Sequence, residues 1–137
     1  MKHNVEWSDD LTTGQRWQDM QHKNFIRQIN QLFYLFSNNG GKVDIEEQLV
    51  FLRKYADEHF GLEEKHMAQS SYPDIEPHIQ QHESFRDFLE EIAEVADSSL
   101  LNSARLCNKL NLWFVEHIKE VDKKMAAYLI AQGDVDA

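Results

Sequence analysis

Seven residues carry chemistry at spacings that ordinary core packing does not explain: His22, His59, Glu63, His78, His82, His117 and Asp122. They fall on the apolar stripes of four successive amphipathic segments, so a folded chain would aim five imidazoles and two carboxylates inward. A buried polar group without a partner costs a few kcal/mol, and seven converging ones require a compensating ligand, for which a pair of metal ions is the simplest choice. His59 with Glu63, and His78 with His82, are i, i+4 pairs that face the same way and can chelate one ion or neighbouring ions. Asp122 is less regular. Five residues beyond His117 it stands about 140° around an α-helix, so periodicity prefers Glu120 as the partner of His117 and leaves the choice between the two acids open. Imidazole and carboxylate suit iron, with no thiolate among them to favour copper(I), although spacing alone also admits zinc.

Four helices must position these groups. Turn-forming breaks at residues 37–41, 70–74 and 97–99 separate helical patterns over about residues 19–36, 44–69, 74–96 and 99–131. The first carries Phe25, Ile29, Leu32, Phe33 and Phe36 beside His22, and the second Ile45, Leu49, Leu52 and Ala56 leading to His59 and Glu63. The third has Ile75, Phe85, Leu89, Ile92 and Ala96 with its two histidines, and the fourth Leu106, Leu110, Trp113, Phe114, Val121 and Tyr128 with His117. Asp44 and Asp74 are candidate N-caps. Short breaks make successive helices antiparallel neighbours, so ligands meet only if they stand equally far from the joining loop. His22 and His59 meet that condition at the first break, and the other pairs come within about one turn. The expected architecture is all-α: an antiparallel up-down-up-down four-helix bundle over residues 19–137 as a single domain. Residues 1–18 form an N-terminal arm that packs Trp7 and Trp17 on it.

Composition narrows the function classes. The 137 residues suit one domain, and with only 5 Gly and 2 Pro they leave long helix-compatible stretches. A formal net charge of -10 argues against nucleic-acid and anionic-membrane surfaces, which need clustered Lys and Arg. The single cysteine, Cys107, cannot form an intrachain disulfide and fits a reducing compartment. Neither a signal-peptide pattern in the first ten residues nor a membrane-length apolar run is present, and a cytoplasmic location is the expectation. His3 reads as a solvated residue of the arm. His66 forms one Glu-x-x-His motif with Glu63, but ferritin-like di-iron bundles need two, so His66 reads as an outer-sphere or polar-face residue.

Several motifs, in order, resemble the hemerythrins, specifically the single-domain bacterial members. They are Trp7 in the arm, Asp19-Met20-Gln21-His22, the stretch from Tyr55 to Glu64 with His59, Phe60 and Glu63, and Tyr72-Pro73 before His78, His82 and Phe85. Trp113, His117, Ile118 and Asp122 complete the series. The resemblance implies two non-haem irons bridged by an oxo or hydroxo group, Glu63 and Asp122. It implies that His78, His82 and His117 bind one iron, while His22 and His59 bind the other, which keeps a position for dioxygen. It turns Glu64 and Glu120 into solvent-face acids. Phe114 stands where the family commonly has leucine lining the dioxygen pocket, and Gln15 and Gln18 stand at commonly apolar positions near the first ligand.

The function so implied is reversible dioxygen binding for carriage, storage or delivery rather than enzymatic turnover. The partners are dioxygen and an unidentified oxygen-using recipient protein, with no nucleic acid and no membrane, and the sequence leaves the oligomeric state open. A di-iron redox enzyme acting on dioxygen, peroxide or nitric oxide is the alternative from the enzyme class, and an oxygen or redox sensor is the third reading.

Overall fold

The computed structural model describes residues 5–96 and 100–133. His3 and the break at residues 97–99 lie outside the described residues. Four helical rods form: α1 (Arg16–Ser37), α2 (Lys42–Gln69), α3 (Ile75–Val95), and a fourth made of α4 (Leu100–His117), a π-helical turn (Ile118–Asp122) and α5 (Lys123–Ala131). Each rod packs on the next, and α4 closes the ring against α1. This is the expected four-helix bundle. No helix among the described residues is long and apolar enough to cross a membrane.

The first two connections are built by the same device. Asn39 and Ser71 take the left-handed conformation (φ 53 and 55), one residue past the caps Asn38 and Ser70. The next N–H groups reach back, Gly40 to the Leu35 carbonyl at 2.6 Å and Tyr72 to that of Met67 at 3.0 Å, closing Schellman motifs that use up carbonyls left over at the helix ends. Gly40 is required there, since an added Cβ would lie 2.9 Å from the Leu35 oxygen.

Three local expectations change. α1 begins at Arg16, before Asp19, because the Asp19 carboxylate turns back to accept from the Thr13 N–H and hydroxyl at 2.8 and 2.9 Å and stabilises an earlier start. Trp17 is therefore helical and not part of the arm. Neither candidate caps with its side chain: α2 starts after Gly41, leaving Asp44 inside its first turn, and Asp74 stands at the N-cap position of α3 but turns its carboxylate to Lys124 at 2.6 Å. The arm itself is pinned where Asn30 on α1 pairs with both backbone groups of Val5, at 2.7 and 3.3 Å, while Lys23 lies over the Trp7 ring.

The apolar core brackets the polar layer. On one side, next to the polar layer, every rod supplies a fully buried phenylalanine, Phe25, Phe60, Phe85 and Phe114, with neighbouring ring centroids 4.4 to 6.1 Å apart. On the other side Met67, Tyr72, Met125 and Leu129 form a smaller cluster. Beyond His117 the buried residues are Ile118, Asp122, Met125, Ala126 and Leu129, while Val121 and Tyr128, expected inside, are only half-buried. The π turn explains the shift. Its i→i−5 bonds, such as Lys123 N–H to the Ile118 carbonyl, accommodate one extra residue and move the inward face by one position.

Candidate metal centre

The π turn brings Asp122, and not Glu120, beside His117. An i, i+5 pair diverges on an α-helix but nearly superposes across a π turn, so His117 and Asp122 both point inward and Glu120 is exposed. Asp122 Oδ1 lies 3.2 Å from His117 Nε2 and 3.0 Å from His78 Nε2.

All seven candidate residues converge, none more than 2 % exposed. They form two overlapping groups that could each hold a metal ion: Glu63, His78, His82, His117 and Asp122, and His22, His59 and Glu63. Glu63 belongs to both groups, and Asp122, a member of the first, reaches the second through His22. Glu63 turns Oε1 to His82 (3.0 Å) and His78 (3.5 Å), and Oε2 to His59 (3.1 Å) and His22 (3.4 Å). Asp122 turns Oδ1 to His78 and His117, and Oδ2 to His22 at 3.0 Å. One side thus has five donor atoms, and the other three or, with Asp122 Oδ2 beside His22, four.

These contacts are close without being satisfied. The Nε2 atoms of His59, His78 and His117 and both Asp122 oxygens lack any partner in hydrogen-bonding alignment, although oxygens and nitrogens stand 3.0 to 3.2 Å apart. Native interiors rarely leave so many buried polar atoms unpaired. Donor atoms that approach one another while aiming past one another fit shared cations, and the donor set of imidazole and carboxylate suits iron. Cys107 plays no part, since burial pushes its thiol pKa up and its Sγ faces the Ile29 carbonyl at 3.5 Å.

Without a metal the groups partly neutralise each other. Burial alone would lower His22 and His78, but the contacts with Asp122 and Glu63 prevail and raise both to about 9. For His59 burial outweighs the attraction of Glu63, and its pKa is lowered. Burial pushes against ionisation of Glu63 and Asp122 too. Yet the surrounding imidazoles, His59 foremost for Glu63 and His117 for Asp122, hold both well below the usual carboxylate range.

A ring of supporting bonds was not legible in the sequence. His59 Nδ1 donates to Gln21 Oε1 (2.6 Å), His82 Nδ1 to Glu64 Oε2 (2.8 Å), and His117 Nδ1 to Gln81 Oε1 (2.8 Å). Each bond fixes the tautomer that leaves the Nε2 lone pair facing the centre. Each acceptor sits next in sequence to an inward group on the preceding helix: Gln21 beside His22, Glu64 beside Glu63, Gln81 beside His82. A polar residue adjacent to each inward group is the signal that could have revealed them. Glu64 is therefore not the solvent-face acid expected; its side chain is 29 % exposed and engaged. His66 behaves as a polar-face residue, stacked on Trp17 with centroids 4.4 Å apart. Phe114 packs edge-on against His22 at 5.6 Å and against Phe25 at 4.4 Å, and Phe60 stacks on His82 at 4.0 Å.

Fold and site together define a helical-bundle protein with a buried histidine and carboxylate cluster that could hold metal ions. The family model for the hemerythrin HHE cation binding domain matches residues 13–129, and the chain belongs to the hemerythrin family. It is similar to the bacteriohemerythrin of Ralstonia nicotianae, with 23% identity over 94% of this chain and 91% of the relative. That of Clostridium acetobutylicum shares 28% identity over 86% and 95%. That of Pseudomonas aeruginosa shares 32% over 89% of this chain and 78% of the relative.

Proposed function

We propose that the chain binds dioxygen reversibly at two non-haem irons, for carriage, storage or delivery to an oxygen-using recipient, and that it is not an enzyme. The observation that carries this reading is the inequality of the two sides within one buried layer, five donor atoms against three, or four when Asp122 Oδ2 beside His22 is counted. His78, His82 and His117 would hold one iron and His22 and His59 the other, with Glu63 and Asp122 available to both. A pair of ferrous ions supplies, when bound, the two electrons with which dioxygen can be held without an external reductant.

The chain's own residues do the rest. Gln21, Glu64 and Gln81 hold three imidazoles in the metal-binding tautomer. The four phenylalanines keep water from one face of the centre, and Phe114, against His22, is the wall of the dioxygen pocket on the four-donor side. Met67 and Met125 close the other face.

An oxygen electrode tests the reading. The anaerobic ferrous protein is expected to take up one dioxygen for every two irons and to return it under argon. Continued consumption with an electron donor would replace binding by turnover.

A further inference from the structure

Gln18 is fully buried one helical turn before His22, and its amide enters the polar layer. Nε2 donates to Glu63 Oε2 at 2.8 Å and its other side meets Met125 Sδ at 3.8 Å, while Oε1 has no partner. A buried primary amide with an unsatisfied oxygen is poor core filling, where leucine or methionine would pack without a desolvated acceptor. Its orientation is set by this contact, because a flipped amide would bring Oε1 against Glu63 Oε2. The bond is also one-sided. Of the four oxygens that span the two groups, Glu63 Oε2 is the one that receives an N–H from outside the seven, among the described residues, and it faces His22 and His59.

We propose that Gln18 is a positioning residue for the four-donor side: it fixes the Glu63 carboxylate so that Oε2 serves the ion held by His22 and His59. The proposal rests on the two-metal reading above. An oxygen tied to α1 through Gln18 cannot swing toward the five-donor side, so the side with fewer ligands keeps its share of the bridge. Glu64 does the corresponding work for the opposite side through His82. Losing such an outer partner typically weakens metal binding about 10- to 100-fold.

The test is cobalt(II) titration of the metal-free full chain by calorimetry, comparing the unaltered protein with Gln18→Met, which keeps length and apolar fit but has no donor. Gln18→Leu gives a second apolar replacement should Gln18→Met lose its helical circular dichroism. One of the two dissociation constants is expected to rise about 10- to 100-fold and the other to stay within about threefold. In a His59→Ala background, where the four-donor side is already disabled, Gln18→Met is expected to leave the remaining constant unchanged. Equal weakening of both ions, no weakening in a folded variant, or the same loss in the His59→Ala background would overturn the proposal. Fewer than two ions in the unaltered protein overturns the two-metal reading, and this proposal with it, before any variant is compared.

Discussion

Phe114→Leu separates the packing role of this ring from its role at the centre. The ring lies 4.4 Å from Phe25, 6.1 Å from Phe85 and edge-on to His22 at 5.6 Å, all fully buried. Leucine keeps the position apolar but forfeits these aromatic contacts, each worth about 0.5–1.5 kcal/mol in favourable geometry. The residual cavity of about 25 Å³ adds roughly 0.6 kcal/mol at about 24 cal/mol per Å³. Partial relaxation offsets some of this, so the metal-free protein should lose about 1–2 kcal/mol, measured by urea denaturation with an unchanged slope. At the centre the effect is kinetic. Space opened beside His22 admits gas and water, so dioxygen release and autoxidation of the iron-loaded protein should both accelerate. A tenfold change corresponds to about 1.4 kcal/mol in the barrier. Stopped-flow mixing with deoxygenated buffer and the loss of the oxygenated spectrum over hours read the two rates. Loss of stability with both rates unchanged would refute the idea that Phe114 walls the pocket and reduce it to core filling.

Three further outcomes follow from the geometry. Gln81→Leu leaves the His117 Nδ1–H without its acceptor and should weaken metal binding about 10- to 100-fold, read by chelator competition. Asp122→Asn should reduce iron content below two per chain while Glu120→Gln leaves it unchanged, by metal analysis of purified protein; the reverse would mean the π turn does not select the acid. In the metal-free protein His22 and His78 are raised from 6.5 to about 9. Their contribution to stability is therefore fully present below about pH 6.5 and lost as pH rises through about 9. Metal displaces those protons, so melting temperature should fall across that window in the metal-free protein and not in the loaded one.

Much of the bundle and the six inward groups other than Asp122 could be read from spacing, because an apolar stripe with a 3.6-residue period is a direct record of burial; Asp122 came only from the family resemblance. Helices end where Asn39 and Ser71 take the left-handed conformation and Gly40 allows a close backbone approach, and those breaks stand out in the sequence. What escaped was whatever depends on two helices at once or on a departure from the α-helix. The π turn is one case: nothing local in Ile118–Asp122 announces an extra residue, and only the need to bury Asp122 together with Met125 and Leu129 selects it. Helix starts are another, since Asp44 and Asp74 have capping chemistry but are used in a first turn and in an ion pair. Gln21, Glu64 and Gln81 are polar residues of ordinary appearance, and each bonds across to the following helix, a relation with no sequence period.

The central claim is reversible dioxygen binding at an iron pair held by these seven residues. Its most direct measurement is the optical spectrum of protein with counted iron, followed through repeated cycles of oxygen and argon. Two irons per chain and a visible charge-transfer band that appears with oxygen and vanishes without it, cycle after cycle, are predicted. A chain that holds one ion, or whose colour does not return to its starting state under argon, would contradict the account.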